Sequence, residues 1–221
     1  MMRLLPSRAP KQFGATKKRQ NVEILIWDKP VKATFIGWGQ FSNVFRGKGN
    51  DVFIYTHYGD NSKEIISMCN DNPHIPPMEK IEVIDGPAQE DWDVHVFKSK
   101  YFEPFVQARS AKAWAHHKEL RRVRDNCNQL QPDTRMIDSG KCQAINYCVA
   151  DTARVPAPVK EALNILAETS LNFGQNFLFD DFRPRNLGLD KQGRIVFIDP
   201  LFDAELIHND IKLRRIRGGY D

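Results

Sequence analysis

Phe179-Asp180-Asp181-Phe182-Arg183-Pro184-Arg185-Asn186, followed after eight intervening residues by Ile195-Val196-Phe197-Ile198-Asp199, is the stretch on which the reading of this chain turns. A carboxylate, Asp181, stands five residues before a carboxamide, Asn186, and a second carboxylate, Asp199, follows thirteen residues after that. Asn186-Leu187-Gly188-Leu189 and Arg194-Ile195-Val196-Phe197-Ile198 are short apolar runs on either side of a Lys191-Gln192-Gly193 turn, the pattern of a hairpin. A hairpin returns Asp199 to Asn186, and the three polar ends can then meet at one place. Phosphoryl transfer asks for that kind of set. It needs an acceptor hydroxyl held in line and metal ions that neutralise charge on phosphate oxygens, with little covalent help. An aspartate can accept the hydroxyl proton, and an asparagine oxygen with a second aspartate suits magnesium, which prefers hard oxygen ligands.

Upstream, Val159, Leu163, Leu166, Ser170 and Phe173 recur at intervals of four, three, four and three, so a helix is predicted from Pro156 to Gly174. Residues 108–130 also read as a helix, with Trp114, Leu120 and Val123 inward and Arg121, Arg122 and Arg124 exposed. His116 and His117, adjacent on that helix, point about 100° apart and read as a solvated or partly packed pair. Residues 131–155 decide nothing. Before Pro104 the composition is strand-like: 32–36, 43–46, 52–55, 80–84 and 94–97 read as strands, with an apolar run at 22–27. A short helix over 60–69 is opened by Asn61 or Ser62 and ended by Pro73, Pro76 and Pro77. The expected class is α+β in two lobes. A basic arm (1–20) leads into a β-rich lobe (21–103) and then a short helical lobe (104–221).

Asp181-x-Arg183-Pro184-x-Asn186 resembles the catalytic loop of protein kinases, and Ile195-Val196-Phe197-Ile198-Asp199 resembles the strand that ends in their magnesium-binding aspartate. Gly37-x-Gly39-x-Phe41-Ser42-x-Val44 resembles the kinase glycine-rich loop, with Ser42 in place of the third glycine. The same loop and the Asp199-Pro200 pair look like the minimal early protein kinases of short-tailed bacteriophages. The resemblance implies a bilobal kinase-like fold and a serine/threonine protein kinase using ATP and Mg2+ on host proteins. It implies Asp181 as base, Arg183 on the transferred phosphate, Asn186 and Asp199 as metal ligands, and Gly37, Gly39, Phe41, Ser42 and Val44 over the nucleotide.

Departures from the pattern are equally specific. The third-strand lysine that grips the α- and β-phosphates aligns with Tyr55, or with Ile54 after a slip of one residue. Arg46, Lys48 and Lys63 are the candidate substitutes, and Glu64 is a candidate for the helix glutamate. Asp180 occupies the place of an arginine that anchors phosphorylated activation loops, and only 22 residues follow Asp199. The alternative function is therefore a catalytically inactive kinase-like protein that binds and inhibits a host enzyme or nucleic-acid machine. A small-molecule phosphotransferase is a third reading.

The bulk properties fit a folded domain: 221 residues, 41% hydrophobic, net charge +4. The charge is uneven. Arg3, Arg8, Lys11, Lys17, Lys18 and Arg19 crowd the first twenty residues without an acid, and Lys212, Arg214, Arg215 and Arg217 the last eleven with Asp221 alone. Such ends are solubilising tails or contacts for an acidic or nucleic-acid partner. No run approaches eighteen apolar residues and no secretory signal is evident, so no membrane association and a cytoplasmic location are expected, in the host bacterium for a viral protein. Cys69, Cys127, Cys142 and Cys148 form no CxxC pair and read as free thiols.

Overall fold

The computed structural model describes residues 20–39, 41–56, 60–69, 71–85, 93–107, 109–130, 154–174, 177–179, 182–203 and 206. Asp181, the basic ends and the undecided stretch 131–153 lie outside these residues. The chain is mixed α+β and divides into two compact units, Met1–Lys63 with Pro77–Tyr101, and Glu64–Pro76 with Phe102–Asp221. Residues 64–76 thus group with the second unit although they precede Pro104.

The first unit is one six-stranded antiparallel sheet: β1 (Gln20–Ile26), β2 (Lys29–Trp38), β3 (Ser42–Arg46), β4 (Asp51–Thr56), β5 (Met78–Ile84) and β6 (Val94–Lys100), in the order β1-β2-β3-β4-β6-β5. Alternation along the strands sends Ile24, Ile26, Ala33, Phe35, Phe45, Phe53 and Val96 to one apolar face. That face curls on itself. The Tyr55 hydroxyl on β4 donates to the Leu25 carbonyl on β1 at 2.7 Å, and the Trp27 indole N–H in the β1–β2 turn donates to the Ile81 carbonyl on β5 at 3.0 Å. Each large apolar side chain enclosed this way contributes about 1.5–3 kcal/mol. The turn itself is unusual. Trp27 and Asp28 both have positive φ, 48° and 58°, the geometry of a two-residue turn usually given to Asn-Gly. The Trp27 anchor to β5 holds it.

Helix α1 (Ser62–Met68) follows β4. Its start is fixed by Asp60, whose carboxylate accepts the Ser62 N–H at 3.0 Å and the Ser62 hydroxyl at 2.9 Å, so the cap lies just before the two residues expected from sequence.

In the second unit, α2 (Ala111–Leu130) begins after Ser110, whose hydroxyl accepts the Ala113 N–H at 3.2 Å. Its buried stripe is Ala113, His117, Leu120 and Val123. Two expectations are corrected here. Trp114 is 41% exposed, because it lies one residue round the helix from that stripe, with its ring set edge-on against Phe105 and His117, and His117 is buried. Helix α3 (Ala157–Leu171) buries Val159, Ala162, Leu163, Leu166, Ala167 and Ser170, the periodicity its sequence carries. Two small ladders complete the unit: β7 (Glu103–Pro104), β9 (Leu187–Leu189) and β10 (Ile195–Phe197) in the order β10-β9-β7, and β8 (Phe177–Phe179) with β11 (Leu201–Asp203). Cys69 is a buried free thiol, pushed up in pKa by burial. Among the described residues no helix is long and apolar enough to cross a membrane.

Candidate active site

Strands β9 and β10 pair Leu187 with Phe197, Gly188 with Val196 and Leu189 with Ile195. Their turn is held by Asp190, whose carboxylate accepts the N–H groups of Gln192 at 2.9 Å and Arg194 at 2.8 Å and the Arg194 guanidinium at 2.6 Å. At the other end of the hairpin the Asp199 N–H donates to the Asn186 carbonyl at 3.1 Å. The backbones of the two expected metal ligands are therefore joined by one hydrogen bond beyond the last strand pair. Both side chains are half-buried, within reach of solvent.

The second ladder brings the neighbours of Asp181 to the same end. Phe179, two residues before Asp181, pairs with Leu201, two residues after Asp199. On its other side, Phe182 is buried and Arg183 is exposed and extended. Pro184, Arg185 and Asn186 then form a single 3-10 turn, closed by the Asn186 N–H on the Arg183 carbonyl at 2.8 Å. Proline fixes φ at the first position of this turn and supplies no N–H that would need a partner.

Strand β10 is gripped on its free edge by a strap that the sequence did not reveal. The Phe197 N–H donates to the His74 carbonyl at 2.8 Å, and the His74 Nδ1 meets the Ile195 carbonyl at 2.6 Å. Asn72 in turn accepts the His74 N–H at 2.9 Å and donates to the Pro158 carbonyl in α3 at 3.0 Å. A carbonyl only accepts, so His74 carries its proton on Nδ1. Burial lowers its pKa, against the Ile195 hydrogen bond, and keeps the ring neutral. The ladder from α3 through residues 72–74 to β10 fixes the strand that delivers Asp199. His117 makes a comparable contact on the other segment, its Nε2 lying 3.0 Å from the Phe182 carbonyl. A buried histidine in an apolar helical stripe was the available signal for His117; His74, between prolines, gave none.

In the first unit the residues of the expected glycine-rich loop span the end of the β2–β3 hairpin. Gly39 donates its N–H to the Ser42 carbonyl at 2.8 Å, and Phe41 and Ser42 are buried. A β-bulge between Phe35 and Gly37 puts Trp38 on the same face as Phe35, ring on ring at 6.0 Å. Gly37 has no atom within 4 Å of where a Cβ would lie, and its φ is not one that requires glycine.

Val44 pairs with Ile54, and Tyr55 points the other way, into the curled face, edge-on to Phe45 at 5.5 Å. Burial pushes its phenol pKa up. Arg46 stacks over the Tyr101 ring at 3.9 Å, and Lys48 is exposed in the β3–β4 turn. Lys63 is 4% exposed, the one buried lysine or arginine among the described residues. Among those residues no cluster of three or more His, Cys, Asp or Glu side chains stands together for a metal. Asn186 and Asp199 could offer two oxygen ligands, a number compatible with magnesium, which keeps several waters and takes phosphate oxygens. The chain matches no protein-family model and no curated protein sequence.

Proposed function

We propose that this chain is a minimal serine/threonine protein kinase of the bacteriophage type, binding ATP with Mg2+ and transferring the γ-phosphate to host proteins. The observation that carries the reading is the hairpin contact of Asn186 with Asp199, joined to the β8–β11 register that flanks Asp181. In this reading Asn186 and Asp199 hold the magnesium, which when bound neutralises charge on the phosphate oxygens and orients them. Asp181 accepts the proton of the serine or threonine hydroxyl as the hydroxyl oxygen forms its bond to the γ-phosphorus and the bond from that phosphorus to the β–γ bridging oxygen breaks, releasing ADP, and Arg183 steadies the transferred group.

Gly37, Gly39, Phe41, Ser42 and Val44 cover the nucleotide. Gly37 supports this. A glycine inside a strand costs about 0.5–1 kcal/mol relative to alanine. With neither φ nor packing to require it, the small residue is explained by close approach of something outside the chain.

Among the three candidate substitutes for the missing lysine, position along the chain favours one. Arg46 is engaged with Tyr101 and Lys48 lies in the turn at the far end of β3 from Ser42. Strand β4 ends at Thr56, which pairs with Ser42, and Lys63 follows seven residues later in the first turn of α1. We assign Lys63 as the cation for the α- and β-phosphates. Lys63→Met is expected to lower transfer by on the order of 100-fold while Lys48→Met leaves it intact; equal rates in both variants contradict the assignment.

The second reading, a catalytically inactive binding protein that docks on a host enzyme or nucleic-acid machine, is favoured by Tyr55 facing the curled core instead of carrying a lysine outward. It predicts that trimming residues 1–20 removes the biological effect and Asp181→Asn does not. The kinase reading predicts loss with Asp181→Asn, measured as label transferred from ATP to a protein acceptor.

A further inference from the structure

Phe182 directly follows Asp181, and its backbone stands at φ 48°. This left-handed conformation is strained for a bulky residue and persists only where its surroundings over-determine it. Two of the constraints are packing: the Phe182 ring is 2% exposed, with the rings of Phe179 and Phe197 each 6.0 Å away. The third is polar. His117 in α2 presents Nε2 to the Phe182 carbonyl at 3.0 Å.

We infer that His117 is a positioning residue for the proposed transfer reaction, its Nε2–H fixing the Phe182–Arg183 peptide and, through it, the start of the turn that runs from Arg183 to Asn186.

The inference rests on the kinase reading, but its physical basis is separate. The stripe around His117 is Ala113, Leu120 and Val123, where an apolar side chain would bury without any polar cost. A histidine there is justified by the bond it makes. Its ring is held by Phe105 at 5.1 Å and Trp114 at 5.5 Å, both on the unit's own chain, so the donor direction is set before any substrate arrives. The carbonyl can only accept, so the proton sits on Nε2. Burial, with Arg121 and Arg124 nearby and against the Phe182 hydrogen bond, keeps the ring neutral. The turn that begins one residue later is closed by Arg183 and Asn186, so the fixed peptide also sets the start of the segment that ends at the metal ligand.

The test compares the full chain with His117→Leu and His117→Gln in MgATP-dependent transfer to a protein acceptor, with kcat, KM for ATP and thermal melting measured for each. The leucine variant keeps the volume and loses the donor; glutamine keeps a donor. The expected result is a kcat reduced on the order of 10- to 100-fold by leucine with KM within about twofold, and recovery of most of kcat by glutamine. A leucine variant as fast as wild type overturns the inference, as does a folded glutamine variant as slow as leucine. Where leucine prevents cooperative melting, His117→Met takes its place in the same comparison. Absence of transfer in wild type overturns the kinase reading and this inference together, whereas wild-type transfer that survives His117→Leu overturns this inference alone.

Discussion

Two glycines, one in each unit, stand in opposite surroundings. Gly188, in β9 of the β9–β10 hairpin, has no room for a side chain: a Cβ there would meet the Phe102 Cβ at 2.6 Å and the Ile198 Cγ2 at 3.3 Å. Gly37, at the β2–β3 bulge of the sheet, would meet nothing within 4 Å. The first glycine serves the fold, because the strand that ends near Asn186 must lie flat against Phe102. The second has no such duty within the chain. Strand glycines of the two kinds separate what builds the site from what the site is for.

The sharpest way to break that comparison is to give each glycine a methyl group. Gly188→Ala is expected to destabilise by about 2–3 kcal/mol, because the contacts it meets belong to a side-chain base and a β-branched residue that have little room to shift. Thermal melting checks this, and an unchanged transition contradicts the packing account. Gly37→Ala is expected to leave the melting temperature unchanged or slightly raised, since an exchange compatible with the backbone reduces the freedom of the unfolded chain. Its cost falls on the nucleotide: KM for ATP rises by roughly three- to tenfold, about 1 kcal/mol. Equal KM in the variant and wild type would remove the glycine turn from the binding surface.

A smaller effect sharpens the contrast through pH. The second unit contains His74, whose folded pKa is lowered from 6.5 by burial. The unfolded chain therefore binds the proton more readily than the folded one. The stabilisation is complete above pH 6.5 and is lost as the pH falls from there through the lowered folded value. Melting curves between pH 7.5 and 5 should show a decline on the order of 1 kcal/mol per unit of pKa difference. His74→Asn is expected to be less stable at neutral pH and to show less of this decline; a variant with the same slope as wild type would assign the acid loss to other groups.

The sequence spoke clearly where local chemistry decides structure. Helix α3 is readable because Val159, Leu163, Leu166 and Ser170 are spaced along one buried face between Pro156 and Gly174, with Phe173 falling just past its end, and the β9–β10 hairpin because Gly193, at φ 73°, ends a polar turn between apolar runs. The chain order of Asp181, Asn186 and Asp199 suggested convergence; the hairpin joins the backbones of the last two, and Asp181 lies outside the described residues. What was hidden depends on partners distant in sequence. The β1–β2 turn uses Trp27 and Asp28 where glycine or asparagine is usual, and it is held by Ile81 and Glu82, more than fifty residues away. The pairing of β8 with β11 joins two three-residue strands too short to carry a pattern. Trp114 was misplaced because hydrophobicity alone cannot tell the centre of a helical stripe from its margin. The direction of Tyr55 depended on strand register, where a shift of one residue reverses the face.

The most direct test is transfer of label from γ-labelled ATP with magnesium to a bacterial protein acceptor, wild type beside Asp199→Ala, with the melting of both proteins recorded. Label on the acceptor with wild type, absent with an Asp199→Ala variant that melts like wild type, is the predicted result. Label that persists undiminished in the variant, or none with the folded wild-type chain, would contradict the assignment of this hairpin to phosphoryl transfer.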